Sequence, residues 1–399
     1  MNDKEFFIGI WQVPPATDSN YKLLSECKIN SVFLNGDFAE DANEEKKAVE
    51  LAEKYGIDVV LEGHNKIEDS AILTSPLTEE KAVVCFNLFD EPLYRHEKGL
   101  RELALKVKGM YPNKQTYINL NPSYTPDTEV SSDYPRYMDT FAKLVYDVEG
   151  KGGWLSMDFY PLRRTQEFEY LICEDWFKDI ETTAKTAKKY SLKSHFFIQS
   201  MAFGGSRYYW CDRTPTEADL RFQIYTYLAH GAKGFTHFCY QTPTTDEFYE
   251  RQSGLFDKGQ PTERWFFAQK IHGEVKAFEN ELLSLDWQSV HRVDSTKDEN
   301  ALFNRENGFG FGEFATIASV ESDARLVVGA FKGKDGKEGL VLVNVEETTK
   351  NKAVNLKLRF KKPVSFKIYK KGESLVENFD TQMQITLEVG EGIFMIEKK

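Results

Sequence analysis

Phe6-Phe7-Ile8-Gly9-Ile10-Trp11, Ser31-Val32-Phe33-Leu34 and Asp58-Val59-Val60-Leu61-Glu62 are three short runs, apolar almost throughout, with helical patterns between them. A strand apolar on both sides of its pleat is buried on both faces, as in a parallel sheet covered by helices. Leu23-Leu24 to Ile29 reads as a short helix. Residues 43–55 carry Ala48, Val49, Leu51 and Ala52 at helical spacing and stop at Gly56. Segment 65–82 is less regular and predicts a short helix at most. The alternation then resumes with strands at 83–89, 116–120, 154–159, 194–200 and 234–240. Helices are predicted over 97–109, 134–147, 175–190, 216–231 and 262–283. Eight strand–helix pairs in one run predict a (β/α)8 TIM barrel rather than an open doubly wound sheet. No GxGxxG follows the first strand, so a dinucleotide site lacks its signature.

Helical periodicity ends near residue 286. Strand-like segments follow at 325–331, 340–345, 354–360, 364–369, 384–387 and 393–396, with Lys334-Asp335-Gly336 as a hairpin signal. The predicted organisation is a catalytic barrel over 1–287 and a small antiparallel β-sandwich over 288–399. The sandwich is expected to act as structural support.

Length and composition agree with two ordered domains: 399 residues, 41% hydrophobic, 14% aromatic and 29% charged. The net charge of −12, with both signs interspersed, argues against nucleic acid and anionic membranes as partners, since each calls for a basic face. No apolar run approaches the ~20 residues of a membrane span. The expectation is a cytoplasmic protein, or an exported one whose leader is missing from this sequence. Cys27, Cys85, Cys173, Cys211 and Cys239 are scattered, with no CxxC pair, and are expected to be buried thiols.

In such a barrel, chemistry sits at the C-terminal ends of the strands. Those ends are Trp11-Gln12, Asn35-Gly36-Asp37, Glu62-Gly63-His64, Asp90-Glu91-Pro92, Asn119-Leu120-Asn121, Asp158-Phe159-Tyr160-Pro161, Gln199-Ser200 and Tyr240-Gln241. Only His64 is a histidine and there is no HxH, so neither a metal site nor a cofactor is predicted. Amides, carboxylates and aromatics are the groups that bind sugar hydroxyls and ring faces. Asp90-Glu91 is the sharpest feature. Two adjacent carboxyls at the end of a buried strand repel each other, which favours one protonated acid beside one ionised base. A helix cap would not require two acids.

With these residues in place, the chain resembles retaining (β/α)8 glycoside hydrolases. Phe86-Asn87-Leu88-Phe89-Asp90-Glu91-Pro92 is similar to the fourth-strand motif of beta-galactosidase-like barrels, whose Glu is the acid/base. Tyr117-Ile118-Asn119-Leu120-Asn121-Pro122 and Ser156-Met157-Asp158-Phe159-Tyr160-Pro161 resemble other strand ends of that group. The seventh strand departs from it: His195-Phe196-Phe197-Ile198-Gln199-Ser200-Met201 holds no carboxylate to serve as nucleophile. Beta-N-acetylhexosaminidases of glycoside hydrolase families 20 and 123 need none, because the substrate's acetamido oxygen attacks the anomeric carbon. Their adjacent Asp-Glu ends strand four, and family 123 also carries Asp-Glu-Pro.

The resemblance implies Asp90 as acetamido stabiliser and Glu91 as general acid/base, an exception to the two-carboxylate rule. The activity it implies is that of an exo-beta-N-acetylgalactosaminidase acting on an oligosaccharide or glycoconjugate. Asn119, Asp158, Gln199 and Gln241 are expected to bind hydroxyls or the acetamido group, with His64 as a further hydrogen-bonding candidate. Trp11, Tyr160, Trp210 and Tyr240 are expected to wall the sugar. The alternatives are a beta-galactosidase-like enzyme using Asp158 or Glu62 as nucleophile, an inverting enzyme pairing Glu91 with Asp158, and a silent glycan-binding barrel.

Overall fold

The computed structural model describes residues 5–34, 42–63, 65–68, 70–164, 170–172, 174–202, 211–243, 253–293 and 314–398. Eight parallel strands close into a barrel: β1 (Phe7–Trp11), β2 (Ser31–Leu34), β3 (Asp58–Glu62), β4 (Val83–Asp90), β5 (Gln115–Leu120), β6 (Trp154–Met157), β7 (Lys193–Gln199) and β8 (Gly234–Phe238). Each pairs with its neighbour in sequence, and β8 closes on β1 with Phe7 opposite Gly234 and Ile10 opposite His237.

The outer layer is formed by α1 (Asp18–Glu26), α2 (Ala42–Tyr55), α3 (Glu97–Met110), α4 (Tyr134–Glu149), α5 (Asp175–Tyr190), α6 (Glu217–Ala229) and α7 (Glu263–Leu283). After β3 the connection carries two 3-10 turns, Ala71–Leu73 and Pro76–Glu79, in place of an α-helix. The first helix begins earlier than its apolar residues suggest. Thr17 accepts from the backbone N–H of Asn20 and so caps a polar first turn that hydrophobic periodicity cannot register. Cys27, Cys85 and Cys239 are buried, as expected.

Two apolar cores meet at the barrel wall. Outward-facing strand residues pack on the helices, whereas Phe7, Trp11, Phe33, Val60, Cys85, Tyr117, Trp154, Tyr160 and Phe197 fill the interior. This second set defines which strand positions point inward.

The first strand of the C-terminal sheets is Leu285–Val293, which follows α7 directly. One sheet runs in the order Leu285–Val293, Leu326–Gly333, Glu338–Asn344, Gly392–Lys398, Val364–Lys370, Glu373–Phe379. The other is Ile317–Ser322, Val354–Phe360, Gln382–Leu387. Sequence reading missed Leu285–Val293, Ile317–Ser322 and Glu373–Phe379. The last is an edge strand exposed along nearly its whole length, so it carries no alternation to read.

Helix α6 explains how the two domains join. It is buried on every side from Asp219 to Ala229, because barrel strands cover one flank and the sandwich the other. A helix covered all round has no polar face. Its capping carboxylate Asp219 receives the Arg213 guanidinium, which also reaches Thr348 Oγ1 (2.7 Å) and Glu347 (3.2 Å) on the sandwich. Gly329 and Gly392 lie flat against this helix. A Cβ on Gly329 would come within 2.1 Å of the Ala229 carbonyl oxygen. Gly329→Ala should therefore destabilise the protein by at least the ~1–3 kcal/mol of core overpacking. A melting temperature unchanged in calorimetry would show that this contact does not exist.

Candidate active site

The fourth strand ends in a device that simple alternation would not produce. Asn87 pairs with Tyr117, but the next partners along the strands are Phe89 with Ile118 and Asp90 with Asn119. Leu88 is therefore an extra residue, a β-bulge. Cys85 and Asn87 point inward, and strict alternation would turn Phe89 in and Asp90 out. The bulge inverts this order. Leu88 and Phe89 both join the helix-side core, and Asp90 faces the barrel interior beside Asn119.

Glu91 follows with φ at 52°, and its N–H donates to the Asn119 carbonyl oxygen (2.9 Å). A glutamate in the left-handed region is strained, and such strain gathers at functional sites. The conformation releases Glu91 from strand alternation and leaves it exposed at the rim. Gln12, at the exit of β1, has φ at 65° and is buried.

Asn119 links the site's acids. Its Nδ2 donates to Asp90 Oδ1 (3.0 Å) and to Asp158 Oδ1 (2.9 Å), while its Oδ1 accepts from Ser156 Oγ (2.9 Å). Asp158 is buried, and its pKa is pushed up to about 7, first by loss of water and then by the negative charge of Asp90. Hydrogen bonds from Asn119 and Tyr160 oppose the rise only partly. The outcome is a carboxyl that holds its proton close to neutral pH, bridged by one amide to a second carboxyl.

Trp11 and Tyr160 sit at the top of the interior core, 9% and 7% exposed. Trp11 packs on Phe33 and Phe197 at centroid distances of 5.1 and 5.7 Å, and Tyr160 on Phe238 at 5.1 Å. They form an aromatic floor rather than free-standing walls. Gln241 offers an acceptor, since its Oε1 is buried without a hydrogen-bond partner among the described residues.

Three expectations change. Gln199 is not available to a ligand: its Oε1 accepts from the Leu162 N–H (2.8 Å) and its Nε2 donates to the Leu162 carbonyl (3.2 Å). It clasps the loop after β6. Tyr240 is fully buried on the helix side, stacked on Phe256 with its hydroxyl accepting from Trp265 Nε1 (3.2 Å), because β8 ends at Phe238 before reaching it. Asn119 has both amide protons engaged by carboxyls, so it orients acids rather than binding sugar. His64 and Trp210 lie outside the described residues.

Sequence reading passed over several residues. Asn87 Nδ2 donates to both oxygens of Glu62 (3.1 and 2.9 Å), and its Oδ1 is buried without a partner among the described residues. Tyr124, 40% exposed, packs edge-on to Phe159, and the Arg163 guanidinium lies 5.3 Å from its ring centre. Asn87 is preceded by an apolar run and looks like core in sequence. Only its position two residues beyond Cys85 on an inward face marks it. Among the described residues no His, Cys, Asp and Glu cluster could hold a metal ion, and no helix is long and apolar enough to cross a membrane.

No protein-family model and no curated protein matches the sequence. Solved structures do resemble the fold. A beta-galactosidase from Bacillus circulans sp. alkalophilus aligns over 99% of this chain and 99% of its own, with a TM-score of 0.58 at 7% identity. A family 5 glycoside hydrolase from Bacteroides vulgatus aligns over 98% and 89%, with a TM-score of 0.56 at 11% identity. A family 27 β-L-arabinopyranosidase from Geobacillus stearothermophilus aligns over 99% and 97%, with a TM-score of 0.53 at 10% identity. At such identities the likeness is one of fold, and these structural neighbours are glycoside hydrolases.

Proposed function

We propose that this protein is a retaining glycoside hydrolase that removes a terminal β-linked N-acetylgalactosamine by substrate-assisted catalysis. The observation that carries the reading is the bulge that turns Asp90 inward, against Asn119 and Asp158, with Glu91 next to it at the rim. In this reading the acetamido oxygen forms a bond to the anomeric carbon as the bond to the leaving oxygen breaks. Glu91 supplies the proton that the leaving oxygen takes. Asp90 accepts the acetamido N–H and offsets the positive charge that develops there. Glu91 then removes a proton from water, whose oxygen attacks the anomeric carbon and reopens the ring with overall retention.

The seventh strand supports the choice. From Lys193 to Trp210 the sequence contains neither Asp nor Glu, so that stretch carries no carboxylate nucleophile. Asp158, bridged by Asn119 and protonated near neutrality, is poorly suited to that role.

A panel of nitrophenyl glycosides tests the proposal. The N-acetylgalactosaminide should turn over, with the N-acetylglucosaminide slower and the galactoside nearly inert. Preferential cleavage of the plain galactoside would overturn it.

A further inference from the structure

Beneath Asn119 lies a chain of polar side chains sealed inside the barrel. Ser156 Oγ donates to Asn119 Oδ1 (2.9 Å), so Ser156 has no second proton to give. The Tyr117 hydroxyl donates to Ser156 Oγ. That commits the Tyr117 proton, so its contact with His195 Nδ1 (2.9 Å) must be made by an Nδ1–H. The same nitrogen also lies 3.1 Å from Ser156 Oγ. His195 Nε2 is then the acceptor, and Thr236 Oγ1 donates to it (3.0 Å). Every proton along Thr236, His195, Tyr117, Ser156 and Asn119 points the same way, and the chain ends on the carboxyls of Asp90 and Asp158.

This directionality requires a neutral His195. The ring is fully buried among Phe7, Trp154 and Phe197 at centroid distances of 5.0, 6.0 and 5.6 Å, and burial pushes its pKa down to about 3. Hydrogen bonds arranged head to tail polarise one another, so each link makes the next donor stronger. The direction of the chain is tied to the orientation of the Asn119 amide: a flipped amide would turn its carbonyl oxygen onto Asp90, repelling that carboxylate, and would reverse every donor back to an Nε2–H on His195.

We propose that Ser156, Tyr117 and His195 are positioning residues of the active site. They lock Asn119 with its amide protons on Asp90 and Asp158 and thereby keep the two acids at a fixed separation in unequal protonation states. All three are buried in the barrel interior and reach the acids only through Asn119, which makes them positioning residues rather than substrate contacts. The inference rests on the proposed hydrolase reading only where turnover is measured.

The test uses the full chain and two readouts independent of turnover. In the wild-type protein, 15N NMR should find His195 as the neutral Nδ1–H tautomer, and an Nε2–H tautomer would overturn the proposal. Carbon-13 NMR of the aspartate carboxyls should place one titration near neutral pH and assign it to Asp158. Ser156→Ala and Tyr117→Phe should each displace that titration. They should also lower kcat with KM changed little, by about 10–100-fold if losing these partners costs what losing the orienting partners of metal ligands costs. Folded variants whose Asp158 titration is that of wild type would sink the idea, whatever their activity. If neither variant folds, the wild-type tautomer decides. If no N-acetylhexosaminide is cleaved at all, the proposed function fails, while the tautomer and the titration still judge the positioning chain.

Discussion

Replacing Glu91 with Gln is expected to lower turnover of an unactivated disaccharide by about 10²–10⁴-fold, the usual contribution of a positioned general acid or base. That corresponds to ~3–5 kcal/mol of transition-state stabilisation. The fold should be untouched, because Glu91 is exposed and its side chain supports no core. Glutamine is itself an uncommon residue at positive φ, so the backbone cost is the same before and after substitution. The loss should shrink with the leaving group. A nitrophenolate departs almost without a proton, so its first step should be slowed far less than that of a sugar alkoxide. Added azide should rescue the second step for activated substrates, since a small anion replaces water without needing a base. Wild-type kinetics of Glu91→Gln on the disaccharide would remove Glu91 from catalysis.

Asp90→Asn is expected to have an effect of similar size, with a different signature. The substitution keeps the shape but removes the charge, and it places an amide opposite the Asn119 amide, where a carboxylate had accepted (3.0 Å). A thiazoline mimic of the bicyclic intermediate should bind wild type far more tightly than the product sugar, because the site favours the transition state and its near neighbours. That advantage should be largely lost in Asp90→Asn. The variant also has a predicted pH signature. Asp158 is held above its ordinary value first by burial and second by the charge of Asp90. Removing the charge should move the Asp158 titration down from about 7, while burial keeps it above 3.8. The pH–rate limb that reports this group should shift to lower pH. Unchanged thiazoline affinity together with an unchanged limb would refute the role given to Asp90. A glycosyl-enzyme trapped by a fluorosugar would instead reveal a protein nucleophile.

Much of this architecture is written in short-range patterns. Fully buried parallel strands are largely apolar on both faces, so the strands stand out as runs, and most of the helices between them keep a 3.6-residue period, the all-round buried α6 excepted. Strand ends follow from those runs, which is why Asp90, Glu91 and Asp158 were legible as a set. The Gly and Asp at the sandwich hairpin were legible for the same local reason.

What the sequence could not specify depends on register and on partners distant along the chain. Alternation along Val83–Asp90 points Asp90 at the helices, and only pairing with β5 reveals Leu88 as an extra residue that reverses it. Gln199 reads as a ligand-binding amide, yet Leu162 consumes both its polar atoms. Tyr240 reads as a sugar wall until β8 is seen to stop at Phe238, leaving the ring between Phe256 and Trp265. Thr236, His195, Tyr117, Ser156 and Asn119 come from four different strands, and nothing in their spacing suggests a common chain. Burial and periodicity are properties of a segment and are carried by it. Hydrogen-bond partners and protonation states are properties of a place, and only closure of the barrel creates that place.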